Sequence, residues 1–116
     1  MNLDIAPTDW RHEAASWTEG QLHRAILSDC GLLRLDVKWD RQPRTSTIKG
    51  WPDLVIVGPN GVLYRELKSM FGFLTVTQRA VGSRLSKAGH DWQVWRPVEW
   101  FDGTVESQLL KIAERM

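Results

Sequence analysis

Four stretches of the chain read as strands and three as helices. Asp53-Leu-Val-Ile-Val57 is β-branched and apolar, Gly58-Pro-Asn-Gly61 is turn chemistry, and Val62-Leu-Tyr-Arg-Glu-Leu-Lys68 alternates again, so this segment predicts a β-hairpin. Leu32 to Trp39 predicts a preceding strand, and Asp91-Trp-Gln-Val-Trp-Arg96 alternates as a later one that Pro97 stops. Ser16-Trp-Thr-Glu19 and Thr18-Glu-Gly-Gln21 both have capping-box form; the helix they open carries Leu22 and Ile26 on one stripe and ends before Gly31. Thr75-Val-Thr-Gln78 opens a helix reaching Ala88, with Gly89 as its stop. Gly82 weakens that helix by roughly 1 kcal/mol relative to Ala, which implies close packing against a sheet. Asp102-Gly-Thr-Val-Glu106 begins a last helix, covered on one side by Val105, Leu109, Ile112, Ala113 and Met116. The expected order is helix, three strands, helix, strand, helix: an α/β fold with helices flanking a central sheet.

The hairpin fixes which polar groups meet. If Gly58 to Gly61 form its loop, Val57 faces Val62, and counting outward sets Asp53 opposite Glu66, with Cβ atoms about 4.5–5.5 Å apart. Lys68 lies two residues past Glu66 and shares its face, whereas Arg65 and Leu67 point the other way. A two-residue Asn60-Gly61 loop would set Asp53 against Lys68 and still keep all three on one side. An odd-length loop or a bulge would separate them.

Two buried carboxylates side by side oppose folding unless a cation compensates them. Mg²⁺ suits that place, since it takes one or two carboxylates, keeps several waters and completes its shell with phosphate oxygens. Asp53 and Glu66 would hold it, the main-chain carbonyl of Leu67 would add a third oxygen, and Lys68 would orient the attacking water and offset charge on a phosphate. The simpler alternative is a surface hairpin in which Glu66 and Lys68 form an exposed ion pair of little energetic consequence and Pro52-Asp53 is a turn.

Lys49-Gly-Trp-Pro-Asp-Leu54, Tyr64-Arg-Glu-Leu-Lys68, Gly72-Phe-Leu-Thr-Val-Thr-Gln78, Ala88-Gly-His90 and Val94-Trp-Arg-Pro97, in this order, resemble the VRR-NUC family of the PD-(D/E)XK nuclease superfamily. The likeness runs from about Trp17 to the C-terminus, leaving 1–15 as an N-terminal extension and 16–116 as a single nuclease domain. It implies a restriction-endonuclease-like core with a central mixed four-stranded sheet, order αβββαβ plus a C-terminal helix. It further implies DNA phosphodiester cleavage dependent on Mg²⁺ or Mn²⁺, and a homodimer of phage or bacterial type acting on branched DNA such as four-way junctions. In many members of the superfamily the first helix brings an acid near the metal. Glu19, three and seven residues before Leu22 and Ile26, is the candidate, although it could equally complete the cap of Ser16. Gln78, three and seven residues before Val81 and Leu85, is either a cap partner of Thr75 or a side chain that holds a metal water or Lys68. The alternatives in function are a DNA-binding module of the same fold without chemistry, and a phage packaging or restriction-type nuclease.

Composition changes this picture little. With 116 residues, 42% of them hydrophobic, the chain is expected to fold as one domain without disulfides. Its single cysteine, Cys30, together with the absence of a Cys/His cluster, points away from zinc and toward a reducing interior. Neither a secretory N-terminus nor an apolar run of membrane-spanning length is present in the sequence, so a cytoplasmic location without membrane partners is expected. Net charge is only +1. Between Arg34 and Lys49, however, Arg34, Lys38, Arg41, Arg44 and Lys49 outnumber Asp36 and Asp40, giving either a phosphate-tracking segment or a solvated loop. Arg79, Arg84 and Lys87 would extend the track along a helix. Seven tryptophans suggest core or dimer contacts, with Trp51 at the mouth of the site able to stack on an unpaired base. The histidines His12, His23 and His90 show no ligand spacing.

Overall fold

A computed structural model describes residues 9–39 and 48–114. It is an α/β fold: a four-stranded mixed open sheet and five helices, in the order α1 (Asp9–Ser16), α2 (Glu19–Leu32), β1 (Asp36–Trp39), β2 (Leu54–Gly58), β3 (Gly61–Leu67), α3 (Val76–Lys87), β4 (Asp91–Trp95), α4 (Pro97–Phe101) and α5 (Thr104–Ala113). The strands lie in chain order; β1, β2 and β3 are antiparallel, and β4 joins β3 in parallel after the α3 crossover. No described helix is long and apolar enough to cross a membrane.

Pairing in the hairpin follows turn chemistry. Gly58 meets Gly61 around Pro59-Asn60, then Val57 meets Val62, Ile56 meets Leu63, Val55 meets Tyr64 and Leu54 meets Arg65. The alternative slide to an Asn60-Gly61 loop does not occur. Asn60 ties the turn to α5, its N–H donating to the Ile112 carbonyl (2.9 Å) and its amide to that of Lys111 (3.1 Å).

Alternation then divides the sheet. Leu54, Ile56, Leu63, Leu67 and Trp95 form the core with Leu22, Ile26 and Cys30 of α2 and Val105, Leu109 and Ile112 of α5. Arg65 shares this face and is fully buried. Its guanidinium lies 4.9 Å from the Trp95 ring centre, pairs with Asp91 (3.1 Å) and donates to Gln108 Oε1 (2.9 Å), which also accepts the Trp95 indole N–H (3.1 Å). Burial lowers its pKa while Asp91 opposes that shift, and an arginine in such a network stays charged. Cys30 is a free, buried thiol, pushed up to about 11 by burial and by Asp29.

The opposite face carries Tyr64 paired with Trp92 and Glu66 with Val94, and α3 packs against β4. Gly82 makes that packing possible: a Cβ built there would lie 2.3–2.7 Å from three atoms of the Trp92 ring.

Several boundaries differ from the sequence reading. Helix α2 runs through Gly31 to Leu32, and the left-handed residue that closes it is Arg34 (φ 58°). Leu35 N–H reaches the Cys30 carbonyl (2.9 Å) and Arg34 N–H that of Gly31 (3.2 Å), a Schellman closure that delivers Leu35 to the core. The strained residue costs about 1–2 kcal/mol, and β1 is correspondingly short. The active capping box of α2 is Thr18 with Gln21, whereas the Ser16 hydroxyl donates to the Glu13 carbonyl (2.7 Å). Pro97 ends β4 but also begins α4, as its fixed φ and missing N–H permit at a first helical position. Helix α1 occupies part of the stretch set apart as an extension. It meets α4 through Trp10 stacked on Phe101 (6.1 Å, 5°), and Trp17 lies edge-on to Phe101 (4.9 Å) and tilted to Trp100 (6.3 Å). Met116 of the expected covering stripe lies outside the described residues.

The Gly82 contact yields a test. Gly82→Ala should destabilise the protein by about 1–3 kcal/mol through overpacking, outweighing the roughly 1 kcal/mol gain in helix propensity. A thermal melt showing a higher midpoint would contradict this packing.

Candidate active site

Asp53 stands one residue before the β2–β3 ladder, and the register carries it to the level of Glu66, but it is exposed, so the expected pair of buried carboxylates is one buried and one open to solvent. Its Oδ2 accepts the Leu67 N–H (2.8 Å), so the carboxylate folds onto the end of β3. Gly50 helps aim it: with φ at 81°, a Cβ there would lie 2.7 Å from Thr77, so only glycine lets this loop lie on α3 just ahead of Trp51-Pro52-Asp53.

Glu66 is 2% exposed. Its Oε2 accepts from Gln78 Nε2 (2.9 Å), and its Oε1 is buried with no hydrogen-bond partner. Burial first, then the charge of Asp53, push this carboxyl up to about 9; Glu19 adds to the rise and Lys68 opposes it. A buried acceptor left unpaired is costly. It is relieved either by a proton shared with Asp53 or by a cation.

Gln78 is the cap partner of Thr75 and also reaches into the site. Its Oε1 accepts the Thr75 N–H (2.9 Å) and its N–H reaches Thr75 Oγ1 (3.0 Å), completing the cap of α3, while its amide N–H₂ holds Glu66. Its contact is with Glu66 rather than Lys68. Lys68 is half-buried, its N–H bonded to the Trp95 carbonyl (3.1 Å), and its charge bears on Glu66.

Glu19 does not follow Leu22 and Ile26 inward; it is exposed at the first position of α2, takes no part in the Thr18–Gln21 box, and acts on Glu66 through its charge. One turn on, at i+4, His23 joins the same neighbourhood. Its Nε2 is buried without a partner, its ring sits edge-on to Trp39 (5.7 Å, 87°), and burial lowers its pKa against the pull of Asp53, with Arg24 adding to the fall. The sequence reading passed over His23, and the i+4 interval from Glu19 was the signal that could have found it.

Around this centre Trp51 is part-exposed and edge-on to Tyr64 (6.1 Å, 88°), which in turn lies tilted to His90 (5.3 Å). Lys49 and Arg79 are exposed. Arg41 and Arg44 lie outside the described residues. All seven tryptophans make contacts within the chain.

Among the described residues no group of three or more His, Cys, Asp and Glu side chains converges to hold a metal ion. Asp53 and Glu66 form a two-carboxylate set, enough for a hard cation that fills its shell with backbone, water and substrate oxygens. The orphaned Glu66 Oε1 fits such an ion. No family model, curated protein or solved structure gives a significant match to this chain, so the likeness to VRR-NUC nucleases rests on its own residues.

The raised Glu66 carboxyl sets a pH dependence. Because its folded pKa exceeds the ordinary value of 4.5, its stabilising contribution is complete below that value and is lost as pH rises toward about 9. Metal-free protein should therefore become less stable across this window. Glu66→Gln should flatten that slope and raise the thermal midpoint at pH 8 in chelator. Equal slopes for the two proteins would show that Glu66 is not the buried group responsible.

Proposed function

We propose that the chain is a divalent-metal-dependent DNA endonuclease of the VRR-NUC type, with the α/β sheet serving as a PD-(D/E)XK core. The observation that carries this reading is Glu66, buried with one free carboxyl oxygen beside Asp53 and within range of the Lys68 charge. A surface ion pair between Glu66 and Lys68 would leave no such buried, unpartnered acceptor.

Asp53 and Glu66 would hold Mg²⁺, with the Leu67 carbonyl as a third oxygen; Mn²⁺, which accepts the same oxygen donors, would substitute. When bound, the ion supplies charge neutralisation at the scissile phosphate and a more acidic water. The protein's own groups do the rest. Gln78 fixes the orientation of Glu66, Asp53 is braced by the Leu67 N–H, and Lys68 places a positive charge where negative charge grows on the phosphate. Glu19 lies near enough to tune Glu66. Lys49, Trp51 and Arg79, together with Arg41 and Arg44, would contact the phosphate backbone and flanking bases. A homodimer with two sites related by a two-fold axis would cut paired strands of a four-way junction, within a cytoplasmic setting.

Supercoiled, single-stranded and four-way DNA should be cut in Mg²⁺ and left intact in chelator. Lys68→Ala is expected to lower the rate about 10²–10³-fold, and Asp53→Ala to abolish cutting, both with DNA binding largely retained. Undiminished cutting by both variants would mean that the site is elsewhere; binding without cutting by the parent would favour the inactive DNA-binding alternative.

A further inference from the structure

The segment joining β3 to α3 carries two side chains that cleavage does not employ. Phe71 and Phe73 are 76% and 84% exposed, the most exposed aromatic residues among those described, and Val76 extends the apolar surface into α3. Two large aromatic side chains left in water within three residues of one segment mark an interaction surface.

The rings stand on a braced support. Arg96 Nη1 donates to the carbonyls of Ser69 (2.7 Å) and Gly72 (2.7 Å), with a longer contact to Met70 (3.5 Å), so one guanidinium gathers the turn. Arg96 is itself fixed as the N-cap of α4, its N–H donating to Glu99 Oε1 (2.7 Å). A surface ordered before binding loses little entropy on contact.

Location and charge select the occupant. Phe71 follows Lys68 by three residues, and the Lys68 stem passes Gly72, with Cδ 3.5 Å from where a Cβ would stand. Helix α3, which begins directly after the loop, carries exposed Arg79, Arg84 and Lys87 and no acidic residue. A second copy docking here about a two-fold axis would bring up the same positive helix and be repelled. A polyanion would be attracted, and aromatic faces beside a basic track suit single-stranded nucleic acid.

We propose that Phe71 and Phe73 form a stacking platform for unpaired bases, so that this protein selects DNA in which nucleotides are unpaired next to the cleavage site. The proposal rests on the nuclease reading above and adds the feature of the substrate that is recognised.

The test uses the full chain in chelator. Binding is measured to a duplex, a single strand and a four-way junction built with unpaired nucleotides at its centre, the last two carrying 2-aminopurine at unpaired positions, for the parent, for Phe71→Ala/Phe73→Ala and for Phe71→Leu/Phe73→Leu. Both double variants should lose at least tenfold in affinity for the single strand and the junction, lose the fluorescence change of the parent, and bind duplex within twofold of it. Leucines that restore binding, an equal loss on duplex, or no loss at all would each overturn the platform. A fall in solution mass from dimer to monomer in the alanine variant would overturn it too, by making this a subunit contact. Neutral variants of a parent that binds DNA refute only the platform, whereas a parent that binds none of the three DNAs refutes the nuclease reading as well. Thermal midpoints of the variants equal to that of the parent are expected, because both rings are exposed.

Discussion

Two carboxyl groups forced together at the end of a hairpin set the terms for the rest of this molecule. Asp53 and Glu66 meet because the Gly58-Pro-Asn-Gly61 turn fixes the register of β2 on β3, and the site makes their meeting expensive: Glu66 is buried, one of its oxygens lacks a donor, and Asp53 bears on it by charge. A protein can hold such a pair with a shared proton or with a cation. The surroundings supply opposite charge sparingly, with Lys68 lowering the Glu66 pKa and Glu19 raising it further.

The fold keeps this pair from relaxing. At one end of the hairpin Asn60 is tied to α5; at the other, the Leu67 N–H grips Asp53 and Gln78 grips Glu66. Gln78 is rigid in turn because the same side chain caps α3, and α3 lies flat on β4 because Gly82 admits the Trp92 ring. Below the sheet, Arg65 occupies a core position through Trp95, Gln108 and Asp91. The local strain is therefore supported by ordinary packing several residues away, as is common where a site needs an arrangement that folding alone disfavours.

Much of this was legible in the sequence. Turn residues and the two-residue period are enough for the hairpin register, for Asp53 at the level of Glu66, and for Arg65 on the opposite face; the glycine in the middle of α3 announces its close approach. What stayed hidden depends on contacts distant along the chain. His23 becomes a neighbour of Asp53 only once α2 packs against β1 and β3, and the Gln78 amide both caps α3 and holds Glu66, a partner that short spacing does not name. Local signals also misplaced the end of α2, because burying Leu35 outweighs the preference for glycine at Gly31. Helices α1 and α4 are held by Trp10, Trp17, Trp100 and Phe101, whose pairing no short pattern encodes.

The central claim is that the Asp53–Glu66 pair is a cation site. Crystals soaked in Mn²⁺ and measured for anomalous scattering test it most directly. The account predicts a peak within coordination distance of both carboxylates, with Gln78 still bonded to Glu66. A peak elsewhere, or none while Asp53 and Glu66 remain side by side, would contradict it.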